Sequence, residues 1–413
     1  YALSGKNFVG IRKGSYDINL LHDSLNGWIP KGFIEFDHIM AYSPGIGMPL
    51  KLLQSKITFD DQKIGLRNTH IVFGKSDIYL SGFVSHLFPK DKQITRGKLK
   101  LKGKYIDANE LMTAMHKGQE FYKETFTGTE EPELVAAALP DTGKAVFAIP
   151  ANLDLQLETT IDHVLFGTLD LRDIQGNLEV KEGHLDLKGF HLKTLAADLD
   201  TKLRYIPVDE KNARLIFALD IRNIDMNNLH RLAPGMDTLL PMIKYFEGKA
   251  QFSVRGTGLL NEQLEVDARS VKGFAALKAR DIMVLDNETF RDLAKTLLFK
   301  NKEKNTVEVL DVEMLIENSR MEVLPAHIEI DRYQLAVGGL QNLDFTYDYH
   351  ISVLKSPVPF KMGVDLKGDF DDYRISLAKA RYKFYFTDKK RLMEKADTNI
   401  INKKRFIQEK LNF

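Results

Sequence analysis

The sequence predicts a mainly β protein of the α+β class: a curled antiparallel β-sheet with about three short helices and a C-terminal helix. Three observations support this prediction. Apolar and polar residues alternate along many short segments, glycine-containing turns separate these segments, and helical periodicity is confined to a few places. Alternation with a period of two is typical of strands that bury one face and expose the other.

Alternating segments recur along most of the chain, which favours an antiparallel meander. The stretch from Gly183 to Tyr205 shows the pattern twice, with a change of phase at Gly189 that we interpret as a hairpin turn. The alternating segments are 98–105, 153–157, 169–172, 176–180, 185–188, 196–205, 215–221, 250–254, 327–330, 347–353, 362–366 and 373–377.

Short glycine-containing stretches separate these segments. Glycine readily adopts the positive φ that tight hairpins need, so we expect turns at these points. They lie at 181–183, 256–258, 338–339 and 367–369.

Helical periodicity is clearest from Asn287 to Phe299, with Asn287 as the expected N-cap. A second helix is expected near 107–122, where Asp107 is the N-cap and Glu110 follows three residues later. A third is expected over roughly 225–246, interrupted by prolines.

These elements predict two β-rich parts. Residues 1–130 form the first, residues 131–148 are a linker rich in charge and proline, and residues 149–387 form the second. Residues 388–413 form a basic, partly amphipathic tail with eight Lys or Arg against four acids. Such a tail either binds anionic lipid headgroups or is a solvated terminal helix.

Composition narrows the function classes. The 58 basic and 57 acidic residues nearly cancel, so general attraction to nucleic acid is not indicated. Cysteine is absent, which suits an oxidising compartment and excludes thiolate chemistry. The sequence has no apolar run long enough to cross a bilayer. Because the chain begins at Tyr1, we expect a signal or anchor to precede it in the full-length protein.

Several short motifs follow one another in a definite order along the chain. Ile149–Leu157 is a Pro-plus-LDL strand, and hairpins of the same style follow up to Tyr205. Upstream, residues 74–82 (GKSDIYLSG) form a "G-x-S-D, strand, G" unit. Downstream lie residues 246–250, the 290–298 helix and the strands of 338–349. In their style and their order, these motifs resemble those of the AsmA family of envelope proteins.

This resemblance, which spans about 45–380, implies an elongated, taco-like β-sheet with an apolar concave groove, related to TamB and to chorein-type bridge proteins. It implies a periplasmic protein, anchored in the inner membrane when full-length, that takes part in phospholipid transport between the inner and outer membranes or in outer-membrane biogenesis. A phospholipid or other lipid is the implied ligand, with envelope proteins and a membrane surface as further partners.

Residues suited to catalysis or metal binding do not form a recognisable pattern in the sequence. The histidines lack zinc-ligand spacing, and the glycine that a phosphate loop needs is replaced by Thr69. We therefore expect that the protein is not an enzyme and that it binds neither a cofactor nor a metal. The expected lining of the apolar groove is Leu153, Leu155, Leu157, Leu185, Leu187, Leu199, Leu203, Phe217, Phe252, Ile351 and Val353.

Alternation leaves two further hypotheses open. The strands of an ordinary closed β core alternate in the same way, so a structural or scaffold protein of the envelope is one alternative. A β-rich hydrolase acting on polysaccharide is the other, and it would need two carboxylates brought together in one cleft.

Overall fold

Strands dominate the chain, which confirms the mainly β class. The computed structural model describes residues 31–43, 48–60, 63–86, 94–111, 113–114, 146, 149–209, 211–226, 246–261, 266–284, 288–300, 305–330, 332–342, 346–357, 362–369, 372–383 and 402. These residues contain eighteen strands, a helical turn at 108–111 and the helix Glu288–Thr296, here α1. The chain divides into two compact units: Tyr1–Leu139 with Ile149–Lys188, and Pro140–Ala148 with Gly189–Phe413.

The first unit contains seven complete strands in one ladder. They are β1 (Lys31–Ser43), β2 (Met48–Asp60), β3 (Lys63–Phe73), β4 (Ser76–Ser85), β5 (Thr95–Asp107), β6 (Leu153–Phe166) and β7 (Leu169–Lys181). Each pairs with the next in antiparallel fashion, except that β5 and β6 are parallel. A parallel pair needs a long crossover, which residues 108–152 supply, so the ladder departs from a pure antiparallel meander.

The second unit contains ten complete strands, all paired antiparallel with their sequence neighbours. Strand β8 (His184–Lys193) is divided between the units at Lys188. The ten strands are β9 (Asp198–Pro207), β10 (Ala213–Asp225), β11 (Phe246–Leu260), β12 (Val266–Val284), β13 (Asn305–Glu317), β14 (Arg320–Ile330), β15 (Tyr333–Asn342), β16 (Tyr347–Lys355), β17 (Gly363–Gly368) and β18 (Tyr373–Ala378).

Bulges change the phase of alternation inside several strands. At Asn68 the pairing moves from Leu66–Gly82 to Thr69–Leu80, so β3 carries one residue more than β4 over this stretch. Asn68 adopts a positive φ of 50°, which Asn and Asp tolerate better than most residues. Beyond a bulge, residues of the opposite parity face the same side of the sheet. Similar positive φ values occur at His38, Asp173, Asn223 and Asp281.

Three of the expected turns are wrong, because their glycines lie inside strands. Gly189 lies inside β8 with a φ of 59°, so the change of phase there is an irregularity within one strand. Gly256 and Gly258 lie inside β11, and Gly338 and Gly339 lie inside β15. At Gly339 a Cβ atom would lie 2.3 Å from the Asp348 carbonyl oxygen, so this glycine permits close approach between strands.

The turns at the other two positions are confirmed. Glu182 and Gly183 both adopt positive φ between β7 and β8, as a two-residue hairpin loop requires. Between β17 and β18, the Asp369 carboxylate accepts a hydrogen bond of 2.7 Å from the Asp372 amide.

Helix α1 confirms the helix expected at 287–299. Its C-terminus is closed by two backbone hydrogen bonds, from the Leu298 amide to the Lys295 carbonyl and from the Phe299 amide to the Ala294 carbonyl. Leu298 has a φ of 60°, the left-handed conformation of a Schellman motif.

The other expected helices are described only in part. Asp107 is the N-cap at 108–111, since its Oδ1 accepts hydrogen bonds of 3.1 Å from the amides of Asn109 and Glu110. The Asp107 amide donates to Ser76 Oγ, so Ser76 takes the place that Glu110 would have in a capping box. Of the helix expected at 225–246, Asp225 ends β10 and Phe246 begins β11, and residues 227–245 lie outside the described residues. The tail at 388–413 also lies outside them except for Asn402, and the linker at 131–148 except for Val146.

Among the described residues, the largest hydrophobic core lies beneath α1 in the second unit. Phe290, Ala294, Leu297 and Phe299 are buried against the strands there. The strand side chains of this core are Val284, Val307, Ile330, Tyr333, Leu335, Ile351, Val353 and Val364. The Tyr333 hydroxyl also donates to the Leu298 carbonyl at 3.2 Å, which fixes the end of the helix.

Candidate functional site

In the first unit, Leu153, Leu155 and Leu157 follow one another on the same side of β6. In the parallel register Leu155 lies beside Gly97 and Leu157 beside Leu99. A Cβ atom on Gly97 would lie 2.9 Å from a Leu155 methyl carbon, so glycine at 97 leaves room for the leucine. All three leucines are half-buried.

The same side of the neighbouring strands is also apolar, and we call it the apolar face of the first unit. Residues directly opposite each other in a ladder share a face, so the registers identify its members. They include Leu50, Leu52, Ile57, Phe59, Ile64, Leu66, Ile71, Phe73, Ile78, Leu80, Val84, Leu99, Leu101, Ile161, Ile174, Leu178 and Val180. Most of these side chains are half-buried.

The opposite side of this ladder carries charge, and we call it the charged face. Ion pairs cross it between neighbouring strands, at Lys56–Glu35 (2.5 Å), His70–Asp77 (2.8 Å) and Lys100–Glu158 (2.7 Å). On β7, Arg172 donates to Asp170 and lowers the pKa of that carboxyl group. The ladder therefore separates an apolar face from a charged one.

In the second unit, the side of β9–β11 that bears Leu199, Leu203, Phe217 and Phe252 is likewise apolar. Leu199 lies opposite Ile221, and Leu203 lies opposite Phe217. The Phe217 ring fills the space over Gly256, where a Cβ atom would lie 2.9 Å from the ring. The four expected lining residues are half-buried, and Leu199 and Phe252 pack beside a small core of Ala197, Ile224, Ala250, Ala279 and Ile282.

Ile351 and Val353 share a side of β16 but lie in a different environment. Both are buried in the core beneath α1, with exposures of 7% and 2%. At this end of the second unit the protein's own helix covers the apolar side.

Leu185 and Leu187 are half-buried on β8, where they alternate with buried Asp186 and exposed Lys188.

Away from α1, the apolar side of the second unit is covered mainly by lateral neighbours. Ala275, Met314 and Val323 are buried there, among half-buried Phe252, Val254, Leu277, Val312, Ile316, Met321 and Tyr349. In each unit the described strands follow one another in one ladder, and a second ladder is not found among them. Half-buried side chains in such a layer keep their ends accessible.

Burial perturbs two tyrosines on the apolar side of β16. Burial raises the pKa of Tyr349 to about 12, and its hydroxyl group donates to Gln341 Oε1 at 2.8 Å. Burial also raises the pKa of Tyr347 to about 12. In the first unit, Ser55 and Thr69 hydrogen bond to each other at 2.9 Å, which satisfies two buried hydroxyl groups on the apolar face.

A polar cluster that the sequence did not predict lies on the other side of β16 and β17. His350 Nδ1 lies 2.5 Å from Asp365 Oδ1, and His350 Nε2 lies 3.0 Å from Ser352 Oγ. Arg381 donates to both oxygens of Asp365, at 2.9 and 2.8 Å. The only sequence signal was the i, i+2 spacing of His350 and Ser352 within an alternating segment.

This cluster contains the residue types of a nucleophilic triad, but its contacts are those of an anchor. Ser352 is 0% exposed and His350 is 1% exposed. The Ser352 oxygen also accepts the Tyr382 amide at 2.9 Å, and His350 Nε2 accepts the Arg381 amide at 3.1 Å. The cluster thus attaches residues 381–382 to the sheet and leaves Ser352 Oγ inaccessible to a substrate.

Within the described ranges, neither a grouping of metal-ligating side chains nor a helix able to span a membrane is found. A polar depression of about 580 Å³ lies in the second unit, lined by Arg280, Asp281, Asn305, Thr306, Glu308 and Val309, with Asp281 at a bulge of β12. None of the expected lining residues is among those that line this depression. Comparison with known proteins found no matching family model, curated protein or solved structure, so the AsmA resemblance stays a prediction.

Proposed function

We propose that the chain is a non-enzymatic lipid-binding protein of the cell envelope, in which the apolar sides of the two units hold acyl chains. One observation carries this proposal. Large aliphatic side chains occupy one face of a single ladder in the first unit and stay half-buried, while ion pairs occupy the other face. Extended apolar surface of this kind usually marks a binding site.

The energetics favour a continuous lining over isolated pockets. Exposing one methylene group to water costs about 0.8 kcal/mol of free energy. A phospholipid has roughly 30 methylene groups, so exposing its acyl chains to water would cost more than about 20 kcal/mol. Rows of leucine on adjacent strands supply contact along the length of an acyl chain. On β6, Leu153, Leu155 and Leu157 are the residues we propose to touch it, spaced about 7 Å apart.

In the second unit we propose Leu199, Leu203, Phe217 and Phe252 as lining residues. Leu185 and Leu187 of β8 remain candidates of the same kind. Ile351 and Val353 take another role in this proposal, because α1 already covers them. In this proposal they hold α1 in place, and the accessible part of the apolar side stops where α1 begins to cover it.

The proposed setting is the periplasm, with the full-length protein anchored in the inner membrane. There the chain would take part in phospholipid transport between the two membranes or in outer-membrane biogenesis. The absence of cysteine is consistent with an oxidising compartment. The order of motifs that resembles the AsmA family supports the same setting.

Lipid analysis of the purified chain tests the proposal. The protein is isolated without detergent and studied by native mass spectrometry, and the bound material is extracted and identified. We expect phospholipid to co-purify with the protein. We also expect the delipidated protein to take up phospholipid again. A lipid-free protein that also fails to take up phospholipid after gentle isolation would contradict the proposal.

A structural or scaffold role is the second candidate, and α1 favours it at one end of the second unit. There the protein closes its own apolar side with Phe290, Leu297 and Phe299. A scaffold would remain folded without lipid and would show no lipid uptake. For a hydrolase, the cluster of His350, Ser352 and Asp365 offers no accessible nucleophile, since the Ser352 oxygen is buried and accepts the Tyr382 amide.

A further inference from the structure

Strand β5 carries basic residues at five successive alternate positions, a row that the proposed lipid-binding face does not involve. Arg96, Lys98, Lys100, Lys102 and Lys104 are all exposed, and between them lie Gly97, Leu99, Leu101 and Gly103 of the apolar face. Alternate residues of a strand lie about 7 Å apart, so the row extends over nearly 30 Å. We call these five residues the basic row.

Neighbouring strands neutralise only part of this charge. On β6, Lys100 pairs with Glu158 at 2.7 Å and Arg96 lies 3.8 Å from Asp154. Lys98 and Lys102 lie beside Gln156 and Thr160, which carry no charge. Lys100 lowers the pKa of Glu158 most, through a hydrogen bond and its charge, and the charges of Lys98 and Lys102 contribute. Glu158 is therefore a single negative charge close to three lysines.

On its other side the basic row adjoins aromatic rings. Lys98 lies opposite Phe83 on β4, and Lys102 lies opposite Tyr79, which is 46% exposed. Lys63 of β3 places its ammonium group 4.0 Å from the centre of the Phe83 ring, adding another cation. Phe83 is half-buried. Aromatic rings beside lysines are typical of protein surfaces that lie at a membrane interface.

We propose that the basic row docks the first unit onto an anionic lipid bilayer. Charge complementarity carries this inference: the chain as a whole has a net charge of only +1, yet the row concentrates five cations on one strand. A row along a β-strand presents its cationic groups together to a planar array of headgroup phosphates. This docking does not require the apolar face to hold lipid.

Vesicle co-sedimentation with the full chain tests the inference. Vesicles of phosphatidylglycerol in phosphatidylcholine are compared with pure phosphatidylcholine, using wild type, Lys98→Gln/Lys102→Gln and a control of equal charge, Lys202→Gln/Lys278→Gln. The control lysines are exposed on β9 and β12 of the second unit. Each lysine near an anionic surface contributes roughly fivefold to binding, so we expect a loss of roughly 25-fold for the β5 variant.

The control variant should lose less than about threefold, because its lysines lie outside the row. The variant Lys98→Arg/Lys102→Arg keeps the charge and should bind like wild type. Equal losses in the two glutamine variants, or none in the β5 variant, would overturn the inference. So would tighter binding of wild type to single-stranded oligonucleotide than to the anionic vesicles. Measuring co-purified lipid in the same variants keeps this result separate from lipid binding, because we expect it to be unchanged.

Discussion

The His350 ring lies between two partners that hold it in one orientation. Its Nδ1 lies 2.5 Å from Asp365 Oδ1, and its Nε2 accepts the Arg381 backbone amide at 3.1 Å. Because Nε2 is an acceptor, the proton of the neutral ring lies on Nδ1 and is donated to Asp365. The pair therefore connects β16, β17 and the segment that follows β18.

Asp365→Asn should destabilise the second unit by about 1–3 kcal/mol at neutral pH. Arg381 donates to both carboxylate oxygens, and an amide nitrogen in place of one of them would face that donor. Urea unfolding followed by circular dichroism measures the loss. Asp348→Asn is the matched control, because Asp348 pairs with Lys367 in an exposed position and should contribute less than about 1 kcal/mol.

The cost of Asp365→Asn should also depend on pH. Burial acts to raise the pKa of Asp365, but the hydrogen bond from His350 and the charge of Arg381 outweigh it, so the folded-state pKa is lowered. A lowered pKa stabilises the fold above the unfolded-state value near 4, and this stabilisation is lost as pH falls through the folded-state pKa. The difference between wild type and variant should therefore shrink below about pH 4. A difference independent of pH would contradict this assignment.

Phe290→Ala should destabilise the second unit by about 3–5 kcal/mol, because it removes a buried ring from the core beneath α1. Arg291→Ala, on the exposed side of the same helix, should change stability by about 0.5 kcal/mol. Thermal and urea unfolding measure both variants. Equal effects would mean that α1 does not cover the apolar side as the structure indicates.

The strand content was predictable from alternation, but the length of several strands was not. Residues 256–258 and 338–339 suggest turns because glycine is common in hairpins, yet both stretches lie within strands. What decides these positions is tertiary: the Phe217 ring over Gly256 and the β16 backbone beside Gly339. Neither neighbour is visible in the local pattern.

The membership of the candidate site was predictable only where alternation is unbroken. Leu153, Leu155 and Leu157 share a face as expected, because β6 has no bulge among them. The apolar side chains of β3 on the two sides of Asn68 have opposite parity, so a fixed period misses one set. Ile351 and Val353 keep the expected alternation, but only the packing of α1 shows that they are covered.

Gly339→Ala should cost about 3 kcal/mol, since the added Cβ would lie 2.3 Å from the Asp348 carbonyl oxygen and 2.7 Å from Tyr349 Cα. Gly189→Ala is an informative comparison. Gly189 has open space around it but a φ of 59°, so alanine there should cost only about 1–2 kcal/mol of backbone strain. Urea midpoints of the two variants give the order. A larger cost at Gly189 would contradict the close approach of β15 and β16.

Leu157→Asp and Gln156→Asp place the same carboxylate on opposite faces of β6. Leu157 lies on the apolar face beside Leu99, whereas Gln156 lies on the charged face and donates to Glu179 at 3.2 Å. If acyl chains cover the apolar face, Leu157→Asp should reduce co-purified phospholipid at least fivefold, because burying an unpaired carboxylate against hydrocarbon is costly. Gln156→Asp should leave lipid content within about twofold of wild type, since its carboxylate stays in water. Circular dichroism establishes that both variants remain folded, and lipid extraction gives the phospholipid per chain. A folded Leu157→Asp protein with wild-type lipid content would show that this face does not bind the acyl chains.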